Sequence, residues 1–465
     1  MIERLATGND RLDAVLGGGL VLNSITLLVG APGSGKTLLA EQCVFATATA
    51  DRPGLYLSTV AEPMDKLLRY GESLAFFDAD KVGTSVFYDQ LGSALYEEGL
   101  WASLDRIDQL VKEHRPGVVV IDSFKALKDF SDGEADFRRF LHELTGRMTA
   151  LAVSSLWVGE YAVAEDARES PEFAVADAVI DLTTKRSGER SIRYLRVLKL
   201  RGSHFASGDH SYRLTSDGLI LYPRLADAVD ASTYEPRNER VSSGIAALDE
   251  AIGDGYWPGS TTLVAGPSGA GKTLMGLHFL YAGAARGEPG VLVTFQESRT
   301  QLARIVGGFG WSVSDPRITI MNYSPVDLHV DEFVYALLDA IDATGARRIV
   351  IDSLNDVMAG VADETRTREF SYSLVQRLAR AGVSLLVTLE SPELFRITRL
   401  SELAMSHLAD NVVLLQHLYS GQEMKRALTV LKTRGASHTT AVREFRITSE
   451  GIALGDPLDV EALLR

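Results

Sequence analysis

Short apolar runs alternate along this chain with longer stretches in which apolar positions recur every three to four residues. Ser24–Val29 is an apolar run that leads into a glycine-rich loop, and Leu38–Ala48 then carries a helical pattern. Leu55–Ser58 is the next short run, and Val118–Ile121 is apolar throughout. An unbroken apolar run fits a strand buried on both faces, whereas the 3.6-residue period fits a helix with one buried face. Strand and helix in alternation predict an α/β fold with a mostly parallel central sheet flanked by helices. The segments 178–200 and 411–432 read as hairpins, which adds antiparallel strands at one side of each sheet.

The pattern occurs twice. Gly30–Thr37 reads GAPGSGKT and Gly266–Thr273 reads GPSGAGKT, an offset of 236 residues. TGNDRLDAVLGGGL from Thr7 and SGIAALDEAIGDGY from Ser243 keep the same offset, while the runs ending in IDS at Ser123 and Ser353 are 230 apart. LKLRGS from Leu198 matches LKTRGA from Leu431. Four landmarks in one order mean a duplicated domain. The expected organisation is a first domain over residues 1–225, a linker over 226–238 and a second domain over 239–465. The first domain is expected to end on the strand Gly218–Tyr222, and the polar, aperiodic ADAVDASTYEPRNER marks the linker.

A chain of 465 residues with 46% hydrophobic and 23% charged residues has ordinary globular composition and room for more than one core. No apolar run reaches the roughly 18 residues of a membrane span. The N-terminal MIERLATGND has no basic segment followed by an apolar one, so a cytoplasmic location is expected. The single Cys43 falls on a helical apolar pattern and reads as a core thiol. A net charge of −15 argues against duplex DNA as a partner. The one basic stretch, Lys185, Arg186, Arg190, Arg193, Arg196, Lys199 and Arg201, reads as an exposed ribbon or a subunit contact, with few aromatics among it to stack bases.

The two glycine loops carry the chemistry. In GxxxxGK[ST] the glycines let successive backbone N–H groups converge on phosphate oxygens at a helix N-terminus. Each copy follows an apolar strand and precedes a helical pattern, the context that makes it a P-loop. The expected ATP-binding residues are Gly30, Pro32, Gly33, Ser34, Gly35, Lys36, Thr37 and Leu38 in the first copy. In the second they are Gly266, Ser268, Gly269, Ala270, Gly271, Lys272, Thr273 and Leu274. Lys36 and Lys272 are expected to reach the β- and γ-phosphates, and Thr37 and Thr273 to hold Mg²⁺. Asp122 and Asp352 end the apolar strands beside the loops and are expected to complete the Mg²⁺ sites, with Ser123 and Ser353 assisting. Glu297, Gln296 and Glu62 are the candidates for activating or orienting water. Glu297 and Glu62 also stand where helices begin, a place that favours carboxylates whatever their chemistry. Lys199 with Arg201, and Lys432 with Arg434, alternate along strands and so share a face suited to phosphates of a neighbouring subunit.

The order of SSGIAALDEAIG, P-loop, FQESRTQLA, IDSL and LKTRGASH resembles the KaiC-like ATPases, the circadian-clock group within the RecA/DnaB superfamily. The resemblance covers both halves and implies two tandem RecA-like domains, a homo-oligomeric, hexameric double ring, and ATP between subunits. Lys199, Arg201, Lys432 and Arg434 would then contact ATP in trans. That family's hydrolytic site carries two adjacent glutamates. The second copy has Gln296-Glu297 there and the first has Val60-Ala61, with Glu62 one place late, so slow hydrolysis is expected, slower at the first site. Clock members phosphorylate a Ser-Thr pair in the second domain. The matching positions are Ser406 and His407, which makes Ser406 the expected acceptor. Few residues follow the last strand, so the long tail of the clock proteins is not expected. The resulting expectation is a ring-forming ATPase with serine autokinase capacity, acting in signalling or timing. An ATP-dependent scaffold with negligible hydrolysis and a DNA-dependent recombinase or helicase are the competing readings.

Overall fold

The computed structural model describes residues 3–59, 64–187, 190–225, 239–326, 328–360, 364–391, 407–420 and 423–458. The expected linker and the positions Val60, Ala61, Glu62 and Ser406 lie outside them. The chain divides into two compact units, Met1–Asp227 and Ala228–Arg465.

In the first unit β1 (Arg4–Leu5) and β2 (Leu20–Val21) form a small antiparallel ribbon. The main strands are β3 (Ile25–Gly30), β4 (Gly54–Ser58), β5 (Val86–Gln90), β6 (Val118–Asp122), β7 (Ser154–Gly159), β8 (Ala178–Ser187), β9 (Arg190–Leu200), β10 (His210–Thr215) and β11 (Gly218–Tyr222). The second unit has β12 (Thr261–Gly266), β13 (Gly290–Thr294), β14 (Ile318–Asn322), β15 (Arg348–Asp352), β16 (Ser384–Glu390), β17 (Asn411–Ser420), β18 (Glu423–Thr433), β19 (Arg443–Thr448) and β20 (Gly451–Pro457).

The two sheets have one topology. Among the described residues each has nine strands, ordered β5-β4-β6-β7-β3-β8-β9-β10-β11 and β14-β13-β15-β16-β12-β17-β18-β19-β20. The first six strands of each are parallel. The last three run antiparallel, and the pairs β8–β9 and β17–β18, where the direction changes, are the two hairpins expected from the sequence. The P-loop strands β3 and β12 therefore lie inside their sheets, where unbroken apolar sequence belongs.

Alternation along the first sheet sorts its side chains into two cores. Leu28, Val120, Leu156 and Ile180 pack on one face against the helix Lys36–Thr47. Leu27, Val29, Val119 and Trp157 pack on the other, against the helices Leu100–His114 and Glu134–Ala150. Cys43 lies in the first of these cores, and burial pushes its thiol up, as a core thiol requires. No helix among the described residues is long and apolar enough to cross a membrane.

Candidate functional site

Each P-loop is a sharp turn from a buried strand into a helix. Gly35 and Gly271 cap the helices with φ of +93° and +103°, a conformation that a β-carbon disfavours. At Gly30 a β-carbon would come 2.1 Å from the Leu182 carbonyl oxygen of the neighbouring strand. The helices open on Lys36 and Lys272 themselves, slightly earlier than the hydrophobic pattern indicates.

Both lysines turn back over their loops. Lys36 Nζ donates to the carbonyls of Gly30 (3.0 Å) and Ala31 (2.9 Å), and Lys272 Nζ to those of Gly266 (3.0 Å) and Pro267 (2.8 Å). Burial lowers the pKa of both ammonium groups. Glu160 and Asp122 oppose that shift at Lys36, as Glu390 and Asp352 do at Lys272. Glu160 follows β7 and Glu390 ends β16, the strands beside the P-loop strands. Neither stands in a recognisable motif, so sequence reasoning missed them. Their recurrence 230 residues apart was the available signal.

The strand-end aspartates meet the P-loop threonines. Thr37 Oγ1 donates to Asp122 Oδ2 at 2.7 Å, and Thr273 Oγ1 to Asp352 Oδ2 at 2.6 Å. A hydroxyl and a carboxylate at that separation form the all-oxygen donor set that suits Mg²⁺, so Thr37 with Asp122 and Thr273 with Asp352 fit the ion. The second donors to the aspartates differ. Tyr56 gives its hydroxyl to Asp122 Oδ2 at 2.7 Å, whereas Thr388 gives its own to Asp352 Oδ1. Burial first, and then the Asp122 charge, push the Tyr56 phenol up, so it stays an O–H donor. The peptide bonds Asp122–Ser123 and Asp352–Ser353 are both cis.

The antiparallel strands brace the loops from the side. Tyr212 on β10 donates to the Ser34 carbonyl at 2.5 Å, and Leu214 packs beneath Gly35. In the second unit Arg426 on β18 reaches the Gly269 carbonyl at 3.3 Å.

Glu297 is brought to the second P-loop's aspartate. Thr294, the last residue of β13, pairs in register with Asp352, and its hydroxyl bonds Glu297 Oε2 at 2.9 Å. Burial, and then the Asp352 charge, raise the pKa of Glu297. The helix that follows is capped by Ser298, in a reciprocal box with Gln301, so the Glu297 carboxylate is not the cap. Gln296 turns to Asp356 at 3.4 Å.

The paired cations stand elsewhere. Arg201 Nη1 lies 3.3 Å from Asp177 Oδ1, and the other oxygen of Asp177 accepts the Ile25 N–H at 3.1 Å. Arg434 lies 3.4 Å from Asp410, which accepts the Thr261 N–H at 3.0 Å. Ile25 and Thr261 are at the starts of β3 and β12, and the P-loops follow the ends of those strands. Arg201 and Arg434 are thus about 17 Å along the sheet from their own loops. Lys199 donates to the Phe173 and Ala174 carbonyls at 3.1 Å, and Lys432 to the Ala409 carbonyl at 2.6 Å. Within the basic ribbon, Lys185 and Arg196 both pair with Asp209, at 2.6 and 2.7 Å.

A parallel sheet with a P-loop leaving a central strand and an aspartate ending another defines a RecA-like nucleotide-binding domain, present twice. The profile of the KaiC ATPase family matches residues 5–226 and again residues 241–459, and the chain belongs to that family. It is 28% identical to the circadian clock oscillator protein KaiC of a Picosynechococcus strain, covering 98% of this chain and 90% of that protein. It is 29% identical to the circadian clock oscillator protein KaiC 1 of a Synechocystis strain, covering 98% of this chain and 89% of the relative. The circadian clock protein KaiC3 of the same Synechocystis strain is 28% identical, with 98% and 92% covered.

Proposed function

We propose that this protein is an ATP hydrolase that assembles into a homo-oligomeric ring, hexameric in the family pattern, with ATP held between neighbouring subunits. The observation that carries the reading is the separation of Lys199, Arg201, Lys432 and Arg434 from their own P-loops. Cations at the start of the P-loop strand serve a nucleotide only when a second copy presents them. In each unit the loop N–H groups and Lys36 or Lys272 bind the phosphates, and Thr37 with Asp122 or Thr273 with Asp352 would hold Mg²⁺. That ion supplies neutralisation of the phosphate charge. Glu297, half-buried near Asp352 with a raised pKa, takes the proton of the attacking water. Gln296 can orient water but cannot remove its proton, so the second site turns over slowly. Glu62 is proposed as the base of the first site, where turnover is slower still.

The clock names of the relatives support a signalling or timing role, and Ser406 is proposed as an autophosphorylation site. One incubation with Mg-ATP tests both activities. Phosphate release above that of a Lys36→Ala/Lys272→Ala double variant supports hydrolysis, and a rate equal to the double variant refutes it in favour of a nucleotide-dependent scaffold. Peptide mapping of the same sample reads phosphate on Ser406, and its absence removes the autokinase.

A further inference from the structure

The two units differ at three neighbouring positions, two of them buried and one half-buried. In the first unit Tyr56 on β4 pairs in register with Tyr88 on β5, their rings 5.4 Å apart, and Glu41 is buried on the P-loop helix. In the second unit the register pair is Leu292 and Ile320, and Leu277 takes the helix position five residues after the P-loop lysine. Two tyrosines and a glutamate thus stand where the repeat places three aliphatic residues. The Glu41 carboxylate acts on both phenols, and the Tyr88 hydroxyl is buried without a hydrogen-bond partner. A polar group in a core costs stability unless it is hydrogen-bonded, so this trio is less stable than the aliphatic one wherever a partner is missing.

What Tyr56 does is visible at its hydroxyl. Asp122 Oδ2 receives both Thr37 and Tyr56, each at 2.7 Å, so two donors use the two lone pairs of one oxygen. The Tyr56 ring is fully buried and cannot swing away. In the second unit Leu292 offers no hydroxyl, and Thr388, on the strand at the other side of β15, bonds the opposite oxygen of Asp352. The equivalent of Thr388 in β7 is Val158, so among the described residues the tyrosine stands in one unit and the threonine in the other.

We propose that Tyr56 is a positioning residue of the first site alone, its hydroxyl holding the Asp122 carboxylate in the orientation that a divalent cation beside Thr37 requires. Thr388 performs that task in the second site from the other side. The proposal rests on the reading of the first P-loop as a metal-nucleotide site, and the two fail in different ways.

The test uses the full chain carrying Lys272→Ala, so that only the first site binds, with Mn²⁺ as the paramagnetic cation and a non-hydrolysable ATP analogue. Tyr56→Phe removes one oxygen atom. It is expected to weaken Mn²⁺ binding about tenfold, the effect of losing one hydrogen bond to a charged group. Binding of the analogue in EDTA is expected to stay unchanged. Tyr88→Phe keeps the Tyr56 hydroxyl and is expected to match the parent. Should Tyr56→Phe not fold, Glu41→Leu/Tyr56→Leu/Tyr88→Ile, which installs the aliphatic trio of the second unit, replaces it with the same expected loss. Parental Mn²⁺ affinity in the Tyr56 variant overturns the proposal. So does an equal loss in EDTA, or an equal loss in Tyr88→Phe, since either marks a general disturbance of the sheet. A parent that binds no analogue overturns the reading of the first site instead.

Discussion

Single residues explain how two copies of one fold diverged without losing their frame. Gln42 and His278 occupy the same place on the two P-loop helices and do the same work. Gln42 donates to the Gly8 carbonyl at 3.1 Å and accepts the Leu219 N–H at 3.0 Å. His278 Nε2 accepts the Ile452 N–H at 3.1 Å, and the ring donates to Gly244. That pattern requires a neutral imidazole, and burial lowers its pKa accordingly. Below about pH 6.5 the unfolded chain binds a proton at this histidine that the folded chain refuses. Stability of the second unit is therefore fully present above that pH and is lost as the pH falls towards the folded value, by at most about 1.4 kcal/mol per pH unit. His278→Gln, which installs the residue of the first unit, is expected to flatten this slope in thermal unfolding between pH 5.5 and 7.5. Equal slopes in the two proteins would refute the assignment.

At the scale of elements, the start of β15 shows how a packed sheet tolerates a charge. Arg348 is 1% exposed and lies 2.7 Å from Glu288, and its Nη1 donates to the Ser242 and Phe279 carbonyls at 2.8 and 2.9 Å. Val118 fills the matching register position of β6. The guanidinium thus ties the segment before the second unit's first helix, the P-loop helix and the sheet into one block. Removing it orphans two carbonyls and opens a cavity. Arg348→Ala is expected to lower the stability of the second unit by about 3 kcal/mol, the lower end for a broken buried pair because Glu288 can reach water. Denaturant unfolding would read this as an earlier second-unit transition, and an unshifted midpoint would count against it. The elements themselves were legible in the apolar runs. The reciprocal cap at Ser298 was not read, and with it in place the Glu297 carboxylate takes the Thr294 hydroxyl instead of the helix N-terminus.

At the scale of the whole molecule, the proposed in-trans role of the paired cations predicts assembly. Each P-loop has its lysine, threonine and aspartate in place, yet the paired cations face away from it. ATP is expected to drive association in sedimentation, and Arg201→Ala/Arg434→Ala to reduce it without weakening nucleotide binding to the isolated chain. A monomer with and without ATP would defeat the ring. With a net charge of −15, and with Lys185 and Arg196 both paired to Asp209, salt-dependent DNA binding is not expected, and DNA-stimulated phosphate release would overturn that expectation.

By itself the sequence determined the duplication, the α/β class, both P-loops and the strand-ending aspartates. Each of these is a contiguous run whose local chemistry, apolar strand, glycine turn or helix start, needs no distant partner to be recognised. Tertiary structure alone decided three other things. It set Tyr56 against Asp122 and Thr388 against Asp352, residues 66 and 36 positions apart that meet only because their strands pair. It brought Glu160 and Glu390 beside the P-loop lysines. It put Arg201 and Arg434 at the far end of the sheet from their own loops. The physical reason is common to all three. Parallel strand order and register fix which side chains become neighbours, and both arise from packing across the whole sheet.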